Sequence, residues 1–305
     1  MKVYYTDTFG FELPEGHRFP LEKYGALRTA LLASPESEQL DFRIPDRAKK
    51  ADLIAAHDPA YVSKVMDGGL SAREIRRMGL PWSPELAERS LRSVGGTLSA
   101  GRSAMEEGIA CSLAGGTHHA GAAHGEGFCV FNDVAIAGKV FLGEQRIARA
   151  AVIDCDVHQG NGTAAILAQS PELFTFSIHG QKNFPYRKNP SDLDIGLPDG
   201  TVDADYLDML DQALTRVFLR SRPDLVFYLA GADPHHGDSL GRLAMTKEGL
   251  LTRDRLVLEA CEQRGLPIVI VLSGGYGRDI QDTVAIHYST VREALSYWKR
   301  RQHTS

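Results

Sequence analysis

The chain has 305 residues, 43% of them hydrophobic and 24% charged, and a formal net charge of −5. That length and apolar content suffice for one large core, and an α/β unit of this size need not be divided, so residues 1–305 read as a single domain. The acidic balance leaves no electrostatic footprint for nucleic acid, no apolar run is long enough to span a membrane, and with no signal-peptide pattern a cytoplasmic location is expected. A cationic peptide or polyamine would not be repelled by the overall charge.

In chain order, strand-like runs fall at Lys2–Tyr5, Ala110–Ala114, Arg149–Val157, Leu173–His179, Leu225–Ala230 and Pro267–Leu272. Helical patterns alternate with them at Pro84–Glu107, Thr163–Gln169, Asp205–Arg220 and Lys247–Arg264. Such alternation means a parallel sheet covered by helices. The Pro84–Glu107 helix has a clear start, with Ser83 as N-cap and Pro84 in the first helical position, while Gly95-Gly96 weaken its middle and predict a bend or split. Cys111, Cys129, Cys155 and Cys261 have no pairwise metal or redox spacing, and three of them sit on or beside predicted buried strands, where free cysteine acts as a small apolar residue. Lys299-Arg300-Arg301 reads as a short solvated tail.

Chemistry concentrates where the apolar runs end. Ala150-Ala151-Val152-Ile153 leads into Asp154, Asp156 and His158, alternate residues that would converge if the extension held. The run ending at Ala230 delivers Asp233, and the run ending at Leu272 delivers Tyr276. Gly115-Gly116-Thr117 precedes the pair His118-His119. Loops at the carboxyl ends of strands are where open α/β sheets bind ligands. Two carboxylates and one imidazole suit a catalytic zinc with an open position, and Asp156, His158 and Asp233 are the candidate ligands. The same set also takes ferrous iron. A histidine pair suits proton transfer, because a departing amine must be protonated.

Together with Gly127-Phe128-Cys129-Val130-Phe131-Asn132-Asp133 and Ser273-Gly274-Gly275-Tyr276, these segments resemble the zinc-dependent histone deacetylase family, which shares its architecture with the arginases, and within it the class IV-like and bacterial branch. The resemblance runs from Val3 to about Glu293. It implies a single-domain arginase/deacetylase fold: an α/β fold with a central parallel sheet of about eight strands and helices on both faces. It also implies a zinc-dependent amide hydrolase that removes acyl groups, acetyl or long-chain, from lysine side chains of proteins or peptides. A small acetylated amine such as an acetylpolyamine stands as the alternative substrate.

Residue by residue, the resemblance makes Asp156, His158 and Asp233 the zinc ligands and Tyr276 the group that polarises the substrate carbonyl. His119 is the general base and later acid, His118 its electrostatic neighbour, and Asp154 the partner of His118. Asn161 faces His119 where many relatives have aspartate. Gly127 offers its carbonyl to the substrate amide, and Phe128 forms one wall of the acyl-lysine tunnel. The opposite wall comes from Phe184, favoured over Tyr186. A structural potassium is implied near Asp154, Asp156, His158, Ser177 and Ile178. Arg18 is open between a place below the metal, where the family binds the released carboxylate, and an ordinary helix start. The stretch from Met78 to Thr97 is expected at the rim. Two readings from other classes remain: a binuclear ureohydrolase, disfavoured because Gly160, Gly231 and His235 stand where further carboxylates are needed, and a non-catalytic binding module, disfavoured because every catalytic residue is present.

Overall fold

The computed structural model describes residues 1–302. Eight parallel strands form one sheet: β1 (Lys2–Tyr4), β2 (Asp41–Arg43), β3 (Ile109–Ser112), β4 (Ala150–Asp154), β5 (Leu173–Gly180), β6 (Leu193–Leu197), β7 (Leu225–Leu229) and β8 (Ile268–Val271), in the order β2-β1-β3-β8-β7-β4-β5-β6. The helices are α1 (Glu22–Leu32), α2 (Lys50–Ile54), α3 (Pro59–Asp67), α4 (Ala72–Met78), α5 (Pro84–Glu107), α6 (Asp133–Gly143), α7 (Asn161–Leu167), α8 (Asp203–Ser221), α9 (Lys247–Glu262) and α10 (Ile280–Gln302).

Alternation along the central strands explains the layering. In β4, Ala151 and Ile153 pack with residues of α1, α8, α9 and α10, while Ala150 and Val152 pack with residues of α2, α3, α5, α6 and α7 on the other face. In β8 the same division separates Ile268 and Ile270 from Val269 and Val271. Both faces of these strands are apolar because both are covered.

Three expectations change. The strand expected to reach Val157 ends at Asp154. Beyond it Asp156 N–H donates to Asp154 Oδ1 (3.1 Å) and His158 N–H to Asp156 Oδ1 (2.9 Å), so short side-chain turns, and not the pleat, converge the polar residues. Helix α5 is continuous across Gly95-Gly96 and capped by Ser83, whose Oγ accepts from Leu86 N–H (3.1 Å). Its glycines serve packing: a Cβ at Gly95 would overlap the Asp46 carbonyl oxygen, and one at Gly96 would lie 2.9 Å from Ser112 Oγ. Finally, Lys299, Arg300 and Arg301 form the last turn of α10 and not a solvated tail, with Arg300 paired to Glu262 (2.9 Å) and Arg301 donating to Leu266 O (2.8 Å).

Candidate active site

The sheet order makes β3, β8, β7 and β4 successive neighbours, so the loops after these strands adjoin along one edge. Those loops carry His118-His119, Tyr276, Asp233, and Asp156 with His158. Asp156 and Asp233 are fully buried and His158 is 7% exposed, yet each aims one atom at a common point, all within 4.8 Å of one another. His158 Nδ1 stands 3.1 Å from Asp156 Oδ1 and 3.1 Å from Asp233 Oδ2. Tetrahedral zinc with bonds of about 2.0–2.1 Å has ligand atoms about 3.3 Å apart, so the donor set fits such an ion.

The remaining carboxylate oxygens are held by neighbours. Asp156 Oδ2 accepts from Ser273 Oγ and Gly274 N–H, both at 2.7 Å, and Asp233 Oδ1 accepts from Val157 N–H at 2.9 Å. Asp156 Oδ1, which also accepts from His158 N–H at 2.9 Å, and Asp233 Oδ2 are the oxygens that face the common point. A Cβ at Gly274 would overlap the Asp233 carboxylate. Burial raises the pKa of Asp233, and the Asp156 charge beside it adds to that, to about 7. Burying two adjoining carboxylates is costly unless a cation joins them.

Asp154 turns away from the ligand set. Its Oδ2 accepts from His118 Nδ1 (2.7 Å), and although burial opposes charging, Asp154 and Asp156 raise His118 to about 9. The adjacent His119 ring, 4.1 Å away by centroids, is driven the other way: burial and then the His118 and His158 charges hold it well below the ordinary histidine value. His119 Nδ1 meets Asn161 Oδ1 at 2.7 Å, and the Asn161 amide nitrogen donates to Glu126 Oε2 at 3.1 Å. Since a carboxylate only accepts, the amide oxygen faces His119, its Nδ1 carries the proton, and Nε2 keeps a lone pair.

Tyr276 remains a phenol, because burial and the Asp156 and Asp233 carboxylates push its pKa well up. Its backbone is tied to Asp238, whose Oδ2 accepts the Tyr276 N–H at 2.6 Å. On the opposite side Gly127 and Phe128 both have left-handed backbone, φ 56° and 66°. That conformation is strained for phenylalanine. It faces the Phe128 ring to Tyr276 at 6.0 Å. Phe184 stands edge-on to His119 at 4.9 Å, while Tyr186 is 88% exposed further out.

Two spaces meet at His119, Gly127, Phe128, His158 and Tyr276. One is an open mouth of about 470 Å³, lined also by Phe184, Tyr186 and Gly79, and the other an inner cavity of about 70 Å³ walled by Phe11, Tyr24 and Leu86. Arg18 lies on the mouth and not beneath the ligand set. The inner cavity has other cations, Lys23 and Arg89, 3% and 6% exposed. Lys23 Nζ donates to the carbonyls of Ser273 (3.2 Å) and Gly275 (3.3 Å), and Arg89 Nη1 to those of Thr6 (2.9 Å) and Phe9 (3.2 Å). No sequence pattern gives Lys23, Glu126 or Asp238 a role, and Arg89, within the Met78–Thr97 stretch expected at the rim, lines the inner cavity instead, since distant segments bring these residues in. Asp133 ends the Gly127–Asp133 segment, and its buried carboxylate accepts from Thr97 Oγ1, Gly116 N–H and Thr117 N–H at 2.5, 3.0 and 2.8 Å, fixing the loop that carries both histidines.

A polar constellation built on central strand ends, with an inward cavity behind it, is a ligand site of the kind the parallel α/β class places at its strand ends. Residues 17–291 match the histone deacetylase domain. An uncharacterized protein of Picosynechococcus sp. is 44% identical over 285 residues, covering 93% of this chain and 95% of that relative. Histone deacetylase 2 of Arabidopsis thaliana is 30% identical over 88% of this chain and 72% of its own length. A histone deacetylase-like amidohydrolase of Pseudomonas aeruginosa is 27% identical over 86% of this chain and 73% of its own. Among solved structures, a histone deacetylase homolog complexed with SAHA superposes with a TM-score of 0.81 at 21% identity, covering 97% of this chain and 83% of that one, and agrees in fold. The chain belongs to the histone deacetylase family, whose members are hydrolases acting on acetylated amides. Among the described residues, no helix is long and apolar enough to cross a membrane.

Proposed function

We propose that this protein is a zinc-dependent deacetylase that removes short acyl groups from lysine side chains. The observation that carries the reading is the meeting of the mouth and the inner cavity at His119 and Tyr276, which suits a linear amide entering acyl end first. An ion held by Asp156, His158 and Asp233 would supply acidified water near neutral pH.

The chain's own groups account for the rest. His119 Nε2 accepts the proton of the attacking water and returns it to the leaving lysine nitrogen. His118, held protonated by Asp154, keeps His119 neutral and ready to accept. The Tyr276 hydroxyl donates to the carbonyl oxygen as negative charge develops there, where one such donor contributes about 10²–10³ in turnover. Gly127 and Phe128 wall the lysine stem on one side and Phe184 on the other. Lys23 and Arg89, bonded to neutral carbonyls, favour an anionic product in the inner cavity.

Acyl length follows from that cavity. The inner cavity, about 70 Å³ against about 470 Å³ for the mouth and walled by the side chains of Phe11, Tyr24 and Leu86, favours an acetyl group over a fatty chain. The register that sets Ser177 opposite Asp154 supports a potassium ion held by backbone oxygens beside the site. The test is single-turnover hydrolysis of matched peptides carrying acetyl-lysine or myristoyl-lysine. Acetyl should be preferred by about 10² or more, in proportion to the unpacked methylenes, and equal rates would overturn the short-acyl assignment.

A further inference from the structure

Although the chain as a whole carries −5, the mouth has the opposite sign. Arg18, Arg77, Lys182 and Arg242 line it, and its one lining carboxylate is Glu126, paired to Arg77 at 3.1 Å. Asp199, just behind, is shared by Arg242 (3.3 Å) and Lys182 (3.9 Å). Two cations in excess therefore surround the opening, and Arg18 makes no ion pair among the described residues. Lys182 is 72% exposed and its contact with Asp199 is long, so its ammonium can turn toward a bound ligand. A cleft lined with one sign of charge enriches ligands of the other and raises their encounter rate.

We propose that the mouth selects acyl-lysine flanked by acidic residues and disfavours cationic tails and polyamines. This rests on the hydrolase reading above and narrows its substrate. The metal-loaded protein is assayed on three peptides identical but for glutamate, glutamine or lysine beside one acetyl-lysine, with free Nε-acetyl-lysine and an N-acetylpolyamine in parallel. The expected order of kcat/KM is glutamate, glutamine, lysine, spread about 10-fold at low ionic strength and collapsing in about 0.5 M salt. The double charge reversal Arg18→Glu with Lys182→Glu inverts the order, whereas Arg216→Glu on α8 leaves the ratio alone. Equal rates on all three peptides, or preference for the lysine peptide or the polyamine, overturns the proposal while leaving the hydrolase reading intact. Turnover confined to free acetyl-lysine overturns the peptide assignment in favour of a small carboxylate-bearing amide. Failure on every substrate overturns the hydrolase reading itself.

The Glu126-Asn161-His119 chain independently carries a second inference. Glu126 bridges Arg77 through Oε1 and Asn161 through Oε2, so it stands one residue further out than a carboxylate bonded directly to His119 would. We infer that Glu126 is a positioning residue that sets the Asn161 amide and, through it, the His119 tautomer. In Glu126→Gln the amide can present its NH₂ and release Asn161 to flip, and kcat on the neutral peptide should fall about 10-fold with KM little changed. Asn161→Asp alone would set a second carboxylate beside Glu126 and also lose rate, but Asn161→Asp with Glu126→Gln should recover most of it. A merely structural role predicts additive losses. Additive losses, or a Glu126→Gln enzyme within about 2-fold of wild type, overturn the inference.

Discussion

Replacing Asp133 by asparagine keeps the side-chain shape and removes its charge, which isolates what this carboxylate does for the histidine loop. One oxygen accepts from Thr117 N–H at 2.8 Å, and the other from Thr97 Oγ1 at 2.5 Å and Gly116 N–H at 3.0 Å, all in a fully buried setting. The Thr97 hydroxyl can rotate to accept from the new amide, but Gly116 N–H then faces a second donor and keeps only its longer bond, 3.2 Å, to the remaining oxygen. Weakening that buried N–H bond costs about 1 kcal/mol, and loss of charge assistance on the Thr117 bond adds about 1 kcal/mol, so about 2 kcal/mol of stability should be lost. His118 and His119 follow Thr117 directly, and displacement of about 1 Å lowers turnover by about 10². Urea unfolding and single-turnover hydrolysis measure the two effects. A variant within about 0.5 kcal/mol of wild type and equally active would refute the argument that this carboxylate holds the loop.

Further outcomes follow from individual contacts. Gly95→Ala gains about 1 kcal/mol of helix propensity but drives a Cβ into the Asp46 carbonyl, a backbone clash costing about 3 kcal/mol, so the urea midpoint should fall. Arg253→Met leaves Asp254 buried against Tyr228 and Thr290 without its cation, and should cost about 3–5 kcal/mol on the same assay. Since burial and the His118 charge hold His119 below its ordinary value, the acid limb of kcat/KM assigned to it should lie below pH 6.5, and a limb above that contradicts the assignment. In the metal-free protein His118, raised to about 9, stabilises the fold fully below its unfolded value of 6.5 and ceases to as pH climbs through 9. Unfolding of chelated protein across that window should show this decline, reduced in His118→Gln.

Six of the strands were legible as apolar runs because the middle of the sheet is covered on both faces. The two outermost were not. β2 is the three-residue edge Asp41–Arg43, and β6 alternates buried Leu193, Ile195 and Leu197 with exposed Asp194 and Gly196, so neither forms a continuous run. Gly95-Gly96 predicted a weakened helix because propensity was weighed without the backbone that packs against it. The meeting of Asp156, His158 and Asp233 with the histidine pair and Tyr276 was legible because each follows a readable strand. Arg89 was not, since its place on the inner cavity depends on α5 packing across the loop that holds Thr6 and Phe9. Nor was the charge of the mouth, because net charge averages over a surface whose local sign is opposite.

The most direct test of the account is turnover by zinc-loaded enzyme of an acetyl-lysine peptide, with Tyr276→Phe as its pair and zinc content measured on both. The account predicts steady hydrolysis that falls about 10²–10³ in the variant with zinc content unchanged. Equal turnover by the two proteins would contradict the placing of Tyr276 at the developing charge.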